Sequence, residues 1–121
     1  MRKKLLIVDD SPIARRIFKR TLPAELEMDL LEAGSGTDAI ARCLSEPPDL
    51  VFLDLTMPTP DGYQVLAELK AAQAMPKVVI LSGDIQPQAQ ARTRSLGAIG
   101  FLMKPAGRED LREVLVQLGF L

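Results

Sequence analysis

The sequence predicts an α/β fold in which five parallel strands are covered by helices on both faces. Short apolar runs alternate with amphipathic stretches five times along the 121 residues, and this alternation is typical of a parallel sheet. The apolar runs are continuous instead of alternating with polar residues, as expected of strands that are buried on both faces. Right-handed crossovers, with the strand order reversing once, then distribute the helices over both sides.

The first strand is the run Leu5–Val8, which is followed by two acids. Ser11 then stands where a helix cap is expected, with Pro12 at the first helical position. Apolar residues recur at helical spacing until Pro23 ends the helix. The opposite, solvent-facing side of this helix is predicted to be basic and comprises Arg15, Arg16, Lys19 and Arg20.

The second and third units repeat this order. A short strand over residues 27–32 is followed by a glycine-containing loop over residues 34–36 and a helix over residues 37–44, which two prolines close. The third strand covers residues 49–54 and ends in an acid, and residues 63–72 have the apolar spacing of a helix.

The last two units complete the pattern. Strands are predicted over residues 77–81 and 99–103, and helices over residues 87–96 and 108–118. The helix over residues 87–96 is the least apolar of the five, so we expect it to be the least firmly docked.

Composition restricts the classes of function. A length of 121 residues predicts one domain over residues 1–121, because domains most often have about 100–150 residues. A net charge of −1 argues against direct binding of nucleic acid. The chain lacks histidine, which excludes a Ser-His-Asp triad, a Cys-His dyad and a His-ligated zinc site. Cys43 is the sole cysteine and no apolar run reaches about 18 residues, so we expect a cytoplasmic protein without a membrane span.

Polar side chains follow four of the predicted strands: Asp9 and Asp10, then Asp54, Ser82 and Lys104. Taken singly, these residues have ordinary interpretations as a helix cap, a turn or a surface lysine, but parallel strands bring them all to one rim. Three carboxylates on a rim repel one another unless a cation lies among them, and hard oxygen ligands suit Mg²⁺ better than zinc. An aspartate can accept a phosphoryl group, whose oxygens a lysine and a hydroxyl can bind. The residues therefore indicate a Mg²⁺-dependent aspartyl-phosphate site.

The same positions carry a resemblance to a known family. The motifs Asp9-Asp10, Asp54-x-x-Met57-Pro58-x-x-Asp61-Gly62, Ser82-Gly83 and Lys104-Pro105, in this order, resemble the receiver domain of bacterial two-component response regulators. The likeness covers essentially the whole chain. It implies the CheY-like, flavodoxin-like fold with strand order 2-1-3-4-5, an order known for this family and not given by the alternation of elements alone.

The resemblance implies roles for the residues at the rim. Asp54 would be the phosphoacceptor. Mg²⁺ (or Mn²⁺) would be bound directly by Asp10, through water by Asp9, by Asp54 and by the backbone carbonyl of Thr56. Lys104 would pair with Asp54 and, after phosphorylation, with the phosphoryl group.

Further roles follow from the same resemblance. Ser82 would be the switch hydroxyl, Gly83 would leave room for the phosphoryl group, and Phe101 would be the aromatic switch residue. The bond before Pro105 is expected to be cis. Two residues would tune the lifetime of the phosphoryl group, Thr56 and Asp84.

The resemblance also implies partners. A sensor histidine kinase or a phosphotransfer protein would supply the phosphoryl group, and a downstream effector or a fused output domain would respond to a change in the surface of the fourth helix, fifth strand and fifth helix. The domain would be a signalling module and not an enzyme, although it would assist its own phosphorylation and dephosphorylation. Whether the domain forms a phosphorylation-dependent dimer is left open by the sequence.

Two rival interpretations have weaker support. A haloacid-dehalogenase-type phosphatase also uses an aspartate nucleophile with Mg²⁺, but its D-x-D-x-T motif is incomplete in Asp54-Leu55-Thr56. A nucleotide-binding module would need a glycine-rich turn after the first strand, where Asp9-Asp10-Ser11-Pro12 stands.

The sequence leaves open how the domain produces an output. The chain is either a free-standing regulator or the N-terminal part of a longer one. Residues 81–91 and the ending 118–121 are similar to receivers that are joined to a CheC-type phosphatase domain.

Overall fold

The computed structural model describes residues 2–121, along which five strands alternate with five helices. The strands are β1 (Lys3–Val8), β2 (Met28–Ala33), β3 (Leu50–Asp54), β4 (Lys77–Ser82) and β5 (Gly100–Met103). The helices are α1 (Pro12–Thr21), α2 (Gly36–Ser45), α3 (Gly62–Ala71), α4 (Pro87–Ser95) and α5 (Arg108–Gln117). The predicted α/β class is confirmed. Within residues 2–121, no helix combines the length and the apolar character that crossing a membrane requires.

The strands form one parallel sheet in the order β2-β1-β3-β4-β5, as the resemblance implies. In the middle of the sheet, Leu5 of β1 pairs with Leu30 of β2 on one side and with Leu50 of β3 on the other. The strand order reverses between β1 and β3, and the crevice at such a point is where open α/β sheets bind ligands.

The sheet separates two apolar layers because successive residues of a strand point to opposite faces. Leu6 of β1 belongs to the layer that α2 and α3 cover, whereas Leu5 belongs to the layer that α1 and α5 cover. In the second layer the rings of Phe18 and Phe52 lie 4.9 Å apart, between α1 and β3. All five residues of β3 are buried, so this strand is held firmly from both faces.

The start of α2 differs from the prediction. The helix begins at Gly36 instead of Thr37, and the side chain of Ser35 caps it by accepting a hydrogen bond from the amide of Asp38. A Cβ atom on Gly36 would collide with the carbonyl oxygen of Pro60, so glycine is needed for the close approach of α2 to the turn after β3. The predicted loop over residues 34–36 is therefore too long by one residue.

The other boundaries agree with the prediction to within two residues. β2 begins and ends one residue later than predicted, β1 starts at Lys3, and β5 starts at Gly100. The predicted cap of α1 is present, because the hydroxyl of Ser11 accepts from the amide of Ala14 at 3.1 Å.

Helix α4 has the largest exposed fraction of the helices, with seven of its nine residues exposed. Two of its nine residues are buried, Ala89 and Thr93. Its contacts with α3 include the guanidinium of Arg92, which lies 3.9 Å from the centre of the Tyr63 ring.

Candidate functional site

Three carboxylates meet where β1 and β3 end. Asp9 and Asp10 follow β1, Asp54 ends β3, and each offers an oxygen within 4.8 Å of the other two. Asp9 and Asp54 are 4% and 2% exposed, whereas Asp10 is open to solvent. The parallel pairing of the two strands brings these acids together although 44 positions separate Asp10 from Asp54 in the chain.

Lys104 reaches this cluster from the end of β5. Its Nζ lies 2.6 Å from Oδ2 of Asp9 and 3.2 Å from Oδ2 of Asp54. Its backbone amide donates to the carbonyl of Ser82 at 2.9 Å, which continues the pairing of β5 with β4. The sequence suggested Asp54 as the partner of this lysine, and the structure adds Asp9 at the shorter distance.

Burial is the largest single effect on the pKa of each of the two groups at the centre, Asp54 and Lys104. It raises the pKa of Asp54 above its ordinary value, against the opposing effects of the Thr56 amide, which donates to Oδ1 at 3.2 Å, and of Lys104. Burial alone would lower the pKa of Lys104, but its hydrogen bond to Asp9 and the charge of Asp54 outweigh burial and raise it. The ammonium therefore stays charged beside the carboxylates.

The switch and lifetime candidates surround the acids. Ser82 is 2% exposed and its hydroxyl oxygen accepts from the amide of Asp84 at 3.0 Å. Thr56 and Asp84 are exposed, and a Cβ atom on Gly83 would meet no atom within 4 Å, so the space around Gly83 is open. The ring of Phe101 is half-buried against the apolar layer that α2 and α3 cover.

Two peptide bonds near the site are cis. One is Lys104–Pro105, for which the resemblance implied this geometry, and the other is Thr59–Pro60 in the turn between β3 and α3.

Arg15 contacts the site, which the sequence reading missed. Helical spacing places Arg15 on the basic, solvent-facing side of α1, but its side chain is only 16% exposed. One end of the guanidinium donates to the backbone carbonyl of Asp9 at 2.6 Å, and Nε donates to Oε1 of Glu32 at 2.9 Å. The sequence feature that could have indicated this contact is Glu32, an acid near the end of β2. It pairs with Ile7 of β1, two residues before Asp9.

The donor chemistry of the cluster fits a hard cation. Mg²⁺ prefers carboxylate and carbonyl oxygens and keeps several waters, and Asp9, Asp10 and Asp54 supply carboxylates of which Asp10 faces solvent. The carbonyl of Thr56 belongs to the exposed start of the turn after β3.

Comparisons with known proteins agree with this arrangement. Residues 5–116 match the family model described as the response regulator receiver domain. The chain is 37% identical over 113 residues to the positive alginate biosynthesis regulatory protein of Pseudomonas aeruginosa, covering 92% of this chain and 45% of that protein. It is 34% identical to Protein PilG of the same organism, covering 89% of this chain and 81% of PilG.

A third relative is much longer than this chain. A protein-glutamate methylesterase/protein-glutamine glutaminase of Syntrophomonas wolfei is 32% identical over 112 residues, which cover 91% of this chain. The chain spans about a third of the length of that relative, at 32%.

Solved structures show the same fold. The signal receiver domain of a putative LuxO repressor protein from Vibrio parahaemolyticus superposes with a TM-score of 0.90, at 24% identity, covering 98% of this chain and 90% of that one. The receiver domain of the putative response regulator NarL from Mycobacterium tuberculosis has a TM-score of 0.85 and 28% identity, with 97% and 96% covered. With the family model matching residues 5–116 and the acidic rim in place, the chain belongs to the receiver domains of two-component response regulators.

Proposed function

We propose that Asp54 accepts a phosphoryl group from a sensor histidine kinase or a phosphotransfer protein, with Mg²⁺ bound at the rim. One observation carries this proposal: a buried aspartate ends a central strand beside two further carboxylates and a lysine ammonium. This set of groups suits phosphoryl transfer, because catalysis of that reaction consists mainly of positioning and of offsetting negative charge.

In the proposed step, a carboxylate oxygen of Asp54 attacks phosphorus. A bond between that oxygen and phosphorus forms while the bond from phosphorus to the donor's imidazole nitrogen breaks, and the imidazole leaves. The cation would be held by Asp9, Asp10, Asp54 and the carbonyl of Thr56, and when bound it supplies charge stabilisation to the transferring group. Lys104, 3.2 Å from Asp54, can exchange this carboxylate for a phosphoryl oxygen.

The proposed response begins at Ser82. Its hydroxyl hydrogen is free to turn toward a phosphoryl oxygen, since in the structure the oxygen of this group acts as an acceptor for the Asp84 amide. Movement of Ser82 would let the half-buried ring of Phe101 turn inward and change the surface of α4, β5 and α5. A shift from 1:99 to 99:1 in favour of the active form takes about 5.5 kcal/mol.

The proposed partners follow from the phosphoryl chemistry. The chain has no histidine of its own, so the donor must be another protein or a small phosphodonor. We propose that an effector or a joined output domain responds to the altered surface, with a CheC-type domain as one candidate, and that the exchange takes place in the cytoplasm. One domain over residues 1–121, acting as a signalling module and not as an enzyme, suffices for this role. The family match offers no support for a haloacid-dehalogenase-type phosphatase.

Replacing Asp54 by asparagine tests the proposal. The Asp54→Asn variant should lose covalent labelling by acetyl phosphate in the presence of Mg²⁺, because the amide cannot attack phosphorus to form an acyl phosphate. Intact-protein mass spectrometry measures the labelling, and Asp38→Asn, which alters an exposed aspartate of α2, is the matched control and should label like the unaltered protein. Labelling of Asp54→Asn at unchanged stoichiometry would overturn the assignment.

A further inference from the structure

We propose that Arg15 is a positioning residue for the metal site: it fixes the peptide between Asp9 and Asp10 so that the Asp10 carboxylate faces the other two acids. This inference rests on the metal site of the proposed function. It concerns a side chain of α1 that contacts no phosphoryl group and no metal ligand atom named above.

The planar guanidinium of Arg15 suits this positioning role because it contacts two acceptors at once. Arg15 lies in the first turn of α1 and bridges two partners, the carbonyl oxygen of Asp9 at 2.6 Å and Oε1 of Glu32 at 2.9 Å. A guanidinium presents several donors in a rigid plane, so one arginine can hold two acceptors in a defined relation to each other. The side chain is 16% exposed, which leaves little freedom for a different arrangement.

Glu32 anchors this bridge from β2. Its second oxygen accepts from Nζ of Lys19 at 2.7 Å, so two cations of α1 share one carboxylate. Hydrogen bonds from Lys19 and Arg15 hold the pKa of Glu32 below its ordinary value. The carboxylate therefore stays ionised at neutral pH and keeps the guanidinium in place.

The remaining polar groups of Asp9 already have partners. Its amide donates to the carbonyl of Ala33 at 3.2 Å, Oδ1 accepts from the amide of Ser11 at 2.9 Å, and Oδ2 accepts from Lys104. The carbonyl oxygen that Arg15 binds belongs to the peptide that leads into Asp10. Because Asp10 is exposed, few neighbouring side chains hold its carboxylate, so the orientation of this peptide contributes to where the carboxylate points.

Removing Arg15 changes metal affinity in opposite directions, depending on whether the side chain acts by positioning or only by its charge. A cation near a divalent-metal site repels the metal, so Coulomb's law alone predicts tighter metal binding when the arginine is lost. Positioning predicts weaker binding, because the carboxylate of Asp10 would no longer be held toward the site. Loss of an outer residue that orients metal ligands typically costs 10- to 100-fold in metal affinity.

The test is Mn²⁺ affinity, measured by electron paramagnetic resonance of the free ion during titration, without any phosphodonor. Arg15→Met should weaken Mn²⁺ binding by about tenfold or more. Arg16→Met removes the same charge from the next, exposed position of α1 and should leave the affinity equal or slightly tighter. Arg15→Lys keeps the charge but offers a single nitrogen in place of a rigid planar fork, so this variant should also bind Mn²⁺ more weakly than the unaltered protein.

The outcomes are distinct. Circular dichroism verifies that each variant is folded, and Arg15→Lys carries the test if Arg15→Met does not fold. Affinity in a folded Arg15 variant that equals or exceeds that of the unaltered protein would overturn the positioning role while the metal site stands. No saturable Mn²⁺ binding by the unaltered protein would overturn the proposed site itself and this inference with it.

Discussion

Gly62 lies directly against the backbone of Asp54, the residue that we propose as the phosphoacceptor. A Cβ atom at this position would be 2.7 Å from Cα of Leu55 and 2.9 Å from the carbonyl oxygen of Asp54. Backbone atoms at the end of a buried strand cannot move aside as a flexible side chain can. The first residue of α3 therefore sets how closely that helix approaches the rim.

We expect Gly62→Ala to destabilise the fold by about 1–3 kcal/mol, which is typical of overpacking in a well-packed region. Urea unfolding followed by circular dichroism measures the change. Gly34→Ala is the matched control, because its Cβ would first meet the flexible end of Arg15 at 3.4 Å, and its effect should stay within about 0.5 kcal/mol. Equal stability of Gly62→Ala and the unaltered protein would contradict the close approach.

At the scale of single residues, the sequence predicted which polar side chains meet at the rim, but not the contacts that hold them there. Asp54, Asp10 and Lys104 could be named because each follows an apolar run, and strand ends in a parallel sheet share an edge. Arg15 could not, because helical spacing assigns a residue to a face but does not show that its long side chain returns to the backbone of Asp9. The closer pairing of Lys104 with Asp9 also depends on distances that only the folded chain defines.

At the scale of elements, α4 depends on few contacts with its neighbour. The guanidinium of Arg92 stacks on Tyr63 of α3, and Nζ of Lys70 donates to the carbonyl of Ser95 at 2.8 Å. Little apolar surface of α4 is buried, so these polar contacts contribute a large share of its attachment.

Arg92→Ala should loosen α4 without affecting the sheet. A cation–π contact at an exposed site contributes about 0.5–1 kcal/mol, which corresponds to roughly two- to fivefold faster local opening. Hydrogen–deuterium exchange of the α4 amides measures this effect. Arg94→Ala removes an exposed arginine from the same helix and should leave the exchange nearly unchanged; equal exchange in both variants would show that the stacking does not hold α4.

The elements themselves were predictable where periodicity was strong. The continuous apolar runs of β1, β3 and β4 identified buried strands, and Ser11 with Pro12 identified the start of α1. The start of α2 was missed because Gly36 resembles a loop residue in the sequence, while its reason for being glycine is a contact with Pro60, 24 positions away.

At the scale of the whole molecule, the acidic rim opposes folding in the absence of a cation. Three carboxylates with oxygens within 4.8 Å of one another repel, and Lys104 supplies one compensating charge. A ligand that binds the folded protein alone raises its stability by mass action. Stability should therefore depend on the metal that we propose for this site.

Mg²⁺ should raise the midpoint of urea unfolding, with a gain of about 2.7 kcal/mol at a concentration 100 times Kd. Asp10→Asn should be more stable than the unaltered protein without metal, because the repulsion is reduced, and should lose most of the gain from Mg²⁺. Asp38→Asn should keep that gain in full. A gain from Mg²⁺ that is the same in all three proteins would point to a general salt effect instead of a site.

The order of the strands belongs to this scale too. Alternation of strands and helices predicts a parallel sheet, but it leaves several orders open, and the order 2-1-3-4-5 came from the resemblance alone. Contacts between distant segments select the order, and these contacts do not appear in any short stretch of sequence.

The shallow seating of α4 has a consequence for how such a protein can diversify. Seven of its nine residues have no part in the buried core, while the acids and the lysine of the rim belong to strand ends on the sheet. Substitutions along the outer side of α4 can therefore change the surface that we propose a partner recognises, at little cost in stability and without altering the strand ends of the rim. On this proposal, the choice of partner and the phosphoryl chemistry can be inherited separately, although one chain of 121 residues encodes both.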